Sequence, residues 1–200
     1  MKNLVLRSVS GFIYITLVIV SILLGKYYFL ALLFIFNGLA LFEFYALYKT
    51  KNNDISPFAG ILTGSIVYLI IILSKNTLIQ ENTMLLLPLL PVIFYIIELF
   101  RKNNNPLPSL AKIMFGIIYI TLPLVLLGFL AAYQQSIGRE VSIIIPGIFI
   151  LIWTFDTSAY LIGIAIGKHK LMKAISPKKS WEGLIGGIII SAVVAYFLRL

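Results

Sequence analysis

A polytopic bundle of transmembrane α-helices is the fold this sequence predicts. Three observations predict it: an apolar excess, apolar runs near spanning length, and a lopsided distribution of lysine and arginine. The chain is 60% hydrophobic and only 12% charged, with a mean hydropathy of +1.04. A water-soluble domain carries roughly 25% charged residues. Surface-to-volume scaling gives 200 residues too small a core to hide the surplus, so lipid must be part of the solvent.

A spanning helix needs roughly 20 apolar residues, or about 17–25 with tilt. Seven stretches meet or approach this: Gly11–Leu24, Tyr27–Tyr48, Phe58–Ser74, Met84–Phe100, Ala111–Tyr133, Ser142–Gly167 and Gly183–Leu198. The first and last are short, and Gly25-Lys26 leaves little room between the first two. Nothing alternates with the two-residue period of a barrel strand. Pro88, Pro91, Pro123 and Pro146 fall inside spans, which a packed bundle tolerates. Lys2 and Arg7 ahead of an apolar run imitate a secretion signal. No small-x-small cleavage site follows, so this run is expected to stay as the first span.

Orientation follows from the positive charges. Twelve lie at the N-terminus and in the even-numbered loops: Lys2, Arg7, Lys49, Lys51, Arg101, Lys102, Lys112, Lys168, Lys170, Lys173, Lys178 and Lys179. Three, Lys26, Lys75 and Arg139, lie in the odd-numbered loops. The N-terminus and the loop Lys168–Glu182 are therefore expected in the cytosol. The net charge of +9 reads as a membrane signal, and no nucleic-acid partner is expected. The absence of cysteine rules out disulfides, thiolate metal sites and cysteine nucleophiles, and the single histidine, His169, rules out a multi-histidine metal cluster.

Candidate chemistry concentrates late in the chain. Asp156 lies 11 residues before Gly167, or roughly 16 Å along a helix. An aspartate at that depth costs about 2.5–3.5 kcal/mol on insertion scales, so it is expected to face a cavity or a partner. Asp156, Ala159, Gly163 and Gly167 share one helical stripe. Gly60-x-x-x-Gly64, Gly163-x-x-x-Gly167 and Gly183-x-x-x-Gly187 read as close-packing faces. Gly163…Gly167-Lys168-His169 is one residue short of a P-loop and lacks its Ser/Thr, so that reading is set aside. A Ser176-His169-Asp156 triad has no spacing in its favour. Snorkelling or ion pairing accounts for Glu43 and Glu98 as well as catalysis does.

The loop from Gly167 to Gly183 is the informative segment. Five of the sixteen positive residues sit in it, which anionic lipid alone would explain at about 1 kcal/mol per lysine. Their placement carries more. Ser176-Pro177 suits a helix start, with serine as N-cap and proline at N1. Lys178 and Lys179 would then oppose the helix dipole at N2 and N3, by about 0.3–1 kcal/mol each. A bound anion would turn that cost into a gain, and a phosphate-rich ligand is the natural one. Glu182 and Asp156 would help to hold Mg²⁺, which takes one or two carboxylates besides phosphate and water.

Asp156-Thr157-Ser158-Ala159-Tyr160, Gly163, Gly167-Lys168-His169-Lys170 and Ile175-Ser176-Pro177-Lys178-Lys179-Ser180-Trp181-Glu182-Gly183 resemble the bacterial phosphatidate cytidylyltransferases (CDP-diacylglycerol synthases). Those enzymes carry an Asp-Thr-x-Ala-Tyr helix and a Ser-Pro-Lys-Lys-Thr-Trp-Glu-Gly loop. Ser180 stands here where threonine is usual. Arg7…Gly11 and Glu43-Phe44-Tyr45 also look like the family. The resemblance implies cytidylyl transfer from CTP to phosphatidate, giving CDP-diacylglycerol and pyrophosphate, in the inner (cytoplasmic) membrane. It implies Asp156, Lys178, Lys179 and Glu182 as catalytic residues. Tyr160, Lys168, Ser176, Pro177, Ser180 and Trp181 would bind substrate, Asp156 would approach Mg²⁺, and a homodimer is a candidate assembly. The family's aspartate-rich metal segment is expected beyond Leu200. The chain is thus expected to form one transmembrane domain, 1–200, with a functional loop at 167–183, as the N-terminal part of a longer family domain.

Two other functions fit the same residues. An ion-coupled transporter would use Asp156 as its coupling site, and a CTP-dependent lipid kinase would transfer a terminal phosphate instead.

The lack of native cysteine makes orientation directly measurable. Lys178→Cys should react with an impermeant maleimide in inverted vesicles and Lys75→Cys only in right-side-out ones; the opposite pattern would reverse the topology.

Overall fold

The computed structural model describes residues 2–47, 57–75, 87, 89–100, 106–136, 144–172 and 176–198. Lys49, Lys51, Arg101, Lys102, Arg139, Lys173 and Arg199 lie outside them. The chain divides into two compact units, Met1–Val141 and Ser142–Leu200.

The first unit contains α1 (Lys2–Leu24), α2 (Lys26–Leu47), α3 (Pro57–Lys75), α4 (Leu89–Phe100), α5 (Pro106–Gly116), a π-helical turn (Ile117–Thr121) and α6 (Leu122–Ser136). The second contains α7 (Ile144–Ile166), β1 (Lys170–Met172), β2 (Ser176–Ser180) and α8 (Trp181–Leu198). Helices thus occupy all seven apolar stretches. Among the described residues, four helical segments are long and apolar enough to cross a membrane: Lys26–Leu47, Leu107–Ala131, Ile144–Ile166 and Trp181–Leu198. Val9–Leu24 and Phe58–Ser74 are shorter apolar helices. The fourth stretch is helical over 12 residues, about 18 Å. The protein is an α-helical, multi-pass membrane protein, with one small β-hairpin among the described residues. Large apolar side chains face outward, as lipid-bathed helices require: Phe12 is 72% exposed and Phe197 77%.

Local sequence explains the first unit's joints. Gly25 separates α1 from α2 at φ 108°, a left-handed conformation that glycine adopts without strain. The π-turn precedes Pro123. Proline has no N–H for the ladder, and the shift to a Leu122 N–H→Ile117 O bond lets the helix run on past it. Several serine and threonine hydroxyls donate within their own helices, Thr63 to Ala59 O at 2.7 Å and Ser74 to Ile70 O at 2.6 Å. In lipid this avoids unpaired donors.

One face of α2, carrying Phe29, Leu30, Leu33, Asn37, Leu41 and Tyr45, is buried. Leu41, Tyr45 and Ile113 form the core cluster. The Tyr45 hydroxyl donates to Ile113 O at 3.2 Å, and the Tyr68 hydroxyl to Leu30 O at 2.9 Å. Gly60 and Gly64 accept this face. A methyl at Gly60 would lie 2.5 Å from the Tyr45 ring, and one at Gly64 2.5 Å from Leu41. The Gly60-x-x-x-Gly64 pair is therefore a packing device.

Gly60→Ala should consequently destabilise the first unit by about 1–3 kcal/mol, as read by thermal unfolding in detergent. Gly11→Ala, whose methyl would meet nothing within 4 Å, should be neutral or stabilising by up to about 1 kcal/mol. Equal effects would contradict the packing.

Candidate functional site

The second unit is an α-helical hairpin closed by a short β-hairpin. Four glycines set the approach of α7 to α8. A methyl at Gly163 would lie 3.8 Å from Gly183 Cα, and one at Gly183 2.6 Å from Ala159 O. A methyl at Gly187 would lie 3.0 Å from Ala159 Cβ. At Gly167 it would come within 2.5 Å of Ser180 Oγ. The Gly163/Gly167 and Gly183/Gly187 pairs thus form one seam, as their spacing predicts.

This seam corrects the expected helix start. Ser176-Pro177 does not begin α8; residues Ser176–Ser180 form β2, and the helix begins at Trp181. Ser180 is the cap, buried to 4% exposure, and its Oγ accepts the Gly183 N–H at 3.3 Å. The reason is electrostatic and steric. This start puts Glu182, not two lysines, in the first turn, where the dipole favours a carboxylate. It also places a small capping side chain against Gly163 and Gly167. Lys178 and Lys179 therefore pay no dipole cost, and the argument for an anion on a helix N-terminus through them falls. Neighbours on a strand point to opposite faces, so the pair does not converge on one phosphate from one side.

β2 pairs antiparallel with β1, with Lys170 opposite Ser180 and Met172 opposite Ser176, and a register irregularity between. The pairing extends to the base of the loop, where the Trp181 N–H donates to His169 O at 2.9 Å. There Glu182 closes a clamp. Its carboxylate accepts the His169 backbone N–H at 3.1 and 3.2 Å and lies 2.6 Å from His169 Nδ1. This is also an ion pair when the imidazole is protonated.

Beside the clamp lies an open cleft of about 640 Å³, lined by Lys168, His169, Lys170, Trp181, Glu182 and Ile185. The structure therefore brings Lys168, Trp181 and Glu182 together. Lys178 and Lys179 are exposed on β2, Pro177 beside them is exposed, and Ser176 is half-buried. Tyr160 and Asp156 are exposed on α7. Asp156 precedes Gly163 by seven residues, roughly 10 Å of helix, whereas Glu182 adjoins the Gly163–Gly183 contact. The two carboxylates thus stand at different levels. Among the described residues no group of three His, Cys, Asp or Glu side chains is placed to hold a metal. His169, Lys170 and Ile185 escaped the sequence argument as site residues. The antiparallel pairing brings His169 to Glu182, 13 residues away, and Ile185 reaches the cleft one helical turn beyond Trp181.

The sequence profile of the cytidylyltransferase family matches residues 5–200. A phosphatidate cytidylyltransferase of Staphylococcus saprophyticus is 30% identical over 159 residues, covering 77% of this chain and 58% of that one. One of Haemophilus influenzae is 53% identical over 49 residues, covering 24% and 17%. One of Bacillus subtilis is 28% identical over 209 residues, covering 100% and 72%. The chain therefore spans 58% of the length of the staphylococcal relative. No solved structure matches significantly.

Glu182→Ala removes every contact that His169 makes with the carboxylate. Amide exchange across His169–Trp181 should accelerate about tenfold, the scale of one charged hydrogen bond. Ser180→Ala should cost about 1 kcal/mol through the lost cap. Unchanged exchange in Glu182→Ala would show that the clamp does not hold the loop.

Proposed function

The chain belongs to the cytidylyltransferase family, and from that membership we propose that it takes part in transferring a cytidylyl group from CTP to phosphatidate. The observation that carries this reading is the cationic loop at the water-facing end of two membrane helices. Lys168, Lys170, Lys178 and Lys179 are all exposed there, next to a cleft with an apolar wall. The relatives' name, phosphatidate cytidylyltransferase, supplies the substrates that suit it.

The reaction has one covalent exchange. A phosphate oxygen of phosphatidate attacks the α-phosphorus of CTP. The bond from that phosphorus to the bridging oxygen breaks, and pyrophosphate leaves with the electron pair. Several phosphate charges must gather in one place, so neutralisation and positioning are most of what a protein can contribute. Each lysine–phosphate hydrogen bond is worth about 1.5–3 kcal/mol. In this reading Lys178 and Lys179 engage CTP from the exposed strand. Ser176, Pro177 and Ser180 shape that strand. Lys168 and Trp181 line the cleft, and Tyr160 and Asp156 lie below it on α7. Glu182 acts by holding His169 and the loop base.

Mg²⁺ belongs to the proposal through the family resemblance. The described residues do not make its coordination set, since the Glu182 oxygens are turned onto His169 and Asp156 lies about two turns deeper. The charge argument here accordingly rests on the lysines. CTP, phosphatidate and bilayer lipids are the partners of this reading, a homodimer its candidate assembly, and the inner membrane with a cytosolic N-terminus its location.

Product analysis of the complete protein in mixed micelles tests the reading. CDP-lipid with pyrophosphate is expected; CDP with a newly phosphorylated lipid would make the protein a lipid kinase. Lys178→Ala should lower kcat/KM for CTP by tenfold or more, the scale of one charged hydrogen bond. Unchanged kinetics would remove that lysine from the phosphate site.

A further inference from the structure

The cleft at the α7–α8 turn has an asymmetry that assigns it an occupant. Its rim is cationic, formed by Lys168 and Lys170, both exposed. Its wall is apolar, formed by Trp181 at 51% exposure and Ile185 at 52%. These two are four residues apart on α8, hence on one helical face. The wall therefore descends from the loop toward the apolar length of the helix. α7 is apolar up to Ile166 and α8 from Gly183 onward, which sets the cleft at the membrane surface. Tryptophan concentrates at that level. Glu182 also lines the cleft, with its oxygens bonded to the His169 N–H and ring at 2.6–3.2 Å, so the anion is held on the lysine side. Lys178 and Lys179 do not line it.

We propose that this cleft seats the phosphomonoester headgroup of an anionic lipid, with the phosphate between Lys168 and Lys170 and the glycerol and upper acyl chain along Trp181 and Ile185. The assignment rests on the cytidylyl-transfer reading for the phosphomonoester, and so for the identity of that lipid as phosphatidate; the anionic lipid itself is read from the cleft. The volume, about 640 Å³, is in the usual range for a small-molecule site. A soluble nucleotide shares the phosphate chemistry, and its base can stack on Trp181, but Ile185 and the apolar helix beyond it lead into the bilayer, where only a lipid follows. The two phosphate-bearing substrates are thus assigned separate cations: Lys168 and Lys170 for the lipid, and Lys178 and Lys179, on opposite faces of β2, for different phosphates of the nucleotide.

Trp181 itself can report occupancy. In a Trp153→Phe background it is the one remaining tryptophan, and acyl-brominated lipids in detergent micelles quench it on contact. Brominated phosphatidate should reach half-quenching at about a tenfold lower mole fraction than brominated phosphatidylglycerol or phosphatidylcholine, the effect of one charged hydrogen bond. Lys168→Gln/Lys170→Gln should abolish the difference. Equal quenching by phosphatidate and phosphatidylglycerol would reduce the cleft to a general anionic surface and overturn the proposal. Relief of quenching by inorganic phosphate would make it a soluble-phosphate site, and relief by CTP a nucleotide site; either overturns it. The function test remains separate. Lost lipid preference with CDP-lipid still formed would remove the cleft assignment alone. Retained preference without CDP-lipid would remove the reaction and leave the cleft.

Discussion

Everything at the candidate site depends on backbone-level contact between α7 and α8. A methyl on Gly183 would stand 2.6 Å from a carbonyl of the opposite helix, so the two helices can be this close only where side chains are absent. Within lipid, apolar side chains gain little by leaving the acyl chains, and close van der Waals approach is what holds helices together. The glycine seam supplies it. The seam also fixes where each helix ends, because Ser180 must fit between Gly163 and Gly167.

From that constraint the loop follows. With α7 ending at Ile166 and α8 starting at Trp181, the connecting residues have a short gap to bridge and unpaired backbone groups to satisfy. An antiparallel hairpin satisfies them against each other. The Glu182–His169 clamp then closes its base and turns the carboxylate oxygens onto His169. The cationic rim and the Trp181–Ile185 wall are consequences of this closure. A polar ligand with an apolar tail can approach from the membrane surface while a soluble one approaches the exposed strand.

Much of this was legible in the sequence. Apolar run length places helices at all seven stretches, and small-x-x-x-small spacing finds both seams, because each depends on residues near one another in the chain. The β-hairpin was not legible. Ser176-Pro177 and Ser180-Trp181-Glu182-Gly183 both satisfy local rules for a helix start, and the choice between them is made by Gly163 on α7 and Gly167 just beyond its end. The His169–Glu182 contact carried no local signal either, since the partners lie 13 residues apart across the hairpin. The π-turn before Pro123 was hidden similarly: proline announces a disturbance but not how the helix absorbs it.

The seam is the claim on which the site stands, and the cysteine-free background allows a direct measurement. In the double variant Ala159→Cys/Gly187→Cys, the two Cβ positions stand 3.0 Å apart, so the seam needs to open by only about half an ångström to reach the roughly 3.5–4.5 Å between Cβ atoms of a disulfide. Mild oxidation in native membranes should give rapid intramolecular cross-linking, read as a gel shift reversed by reductant. Persistently free thiols, or cross-links only between chains, would contradict the arrangement of α7 and α8 from which the hairpin, the clamp and the cleft all follow.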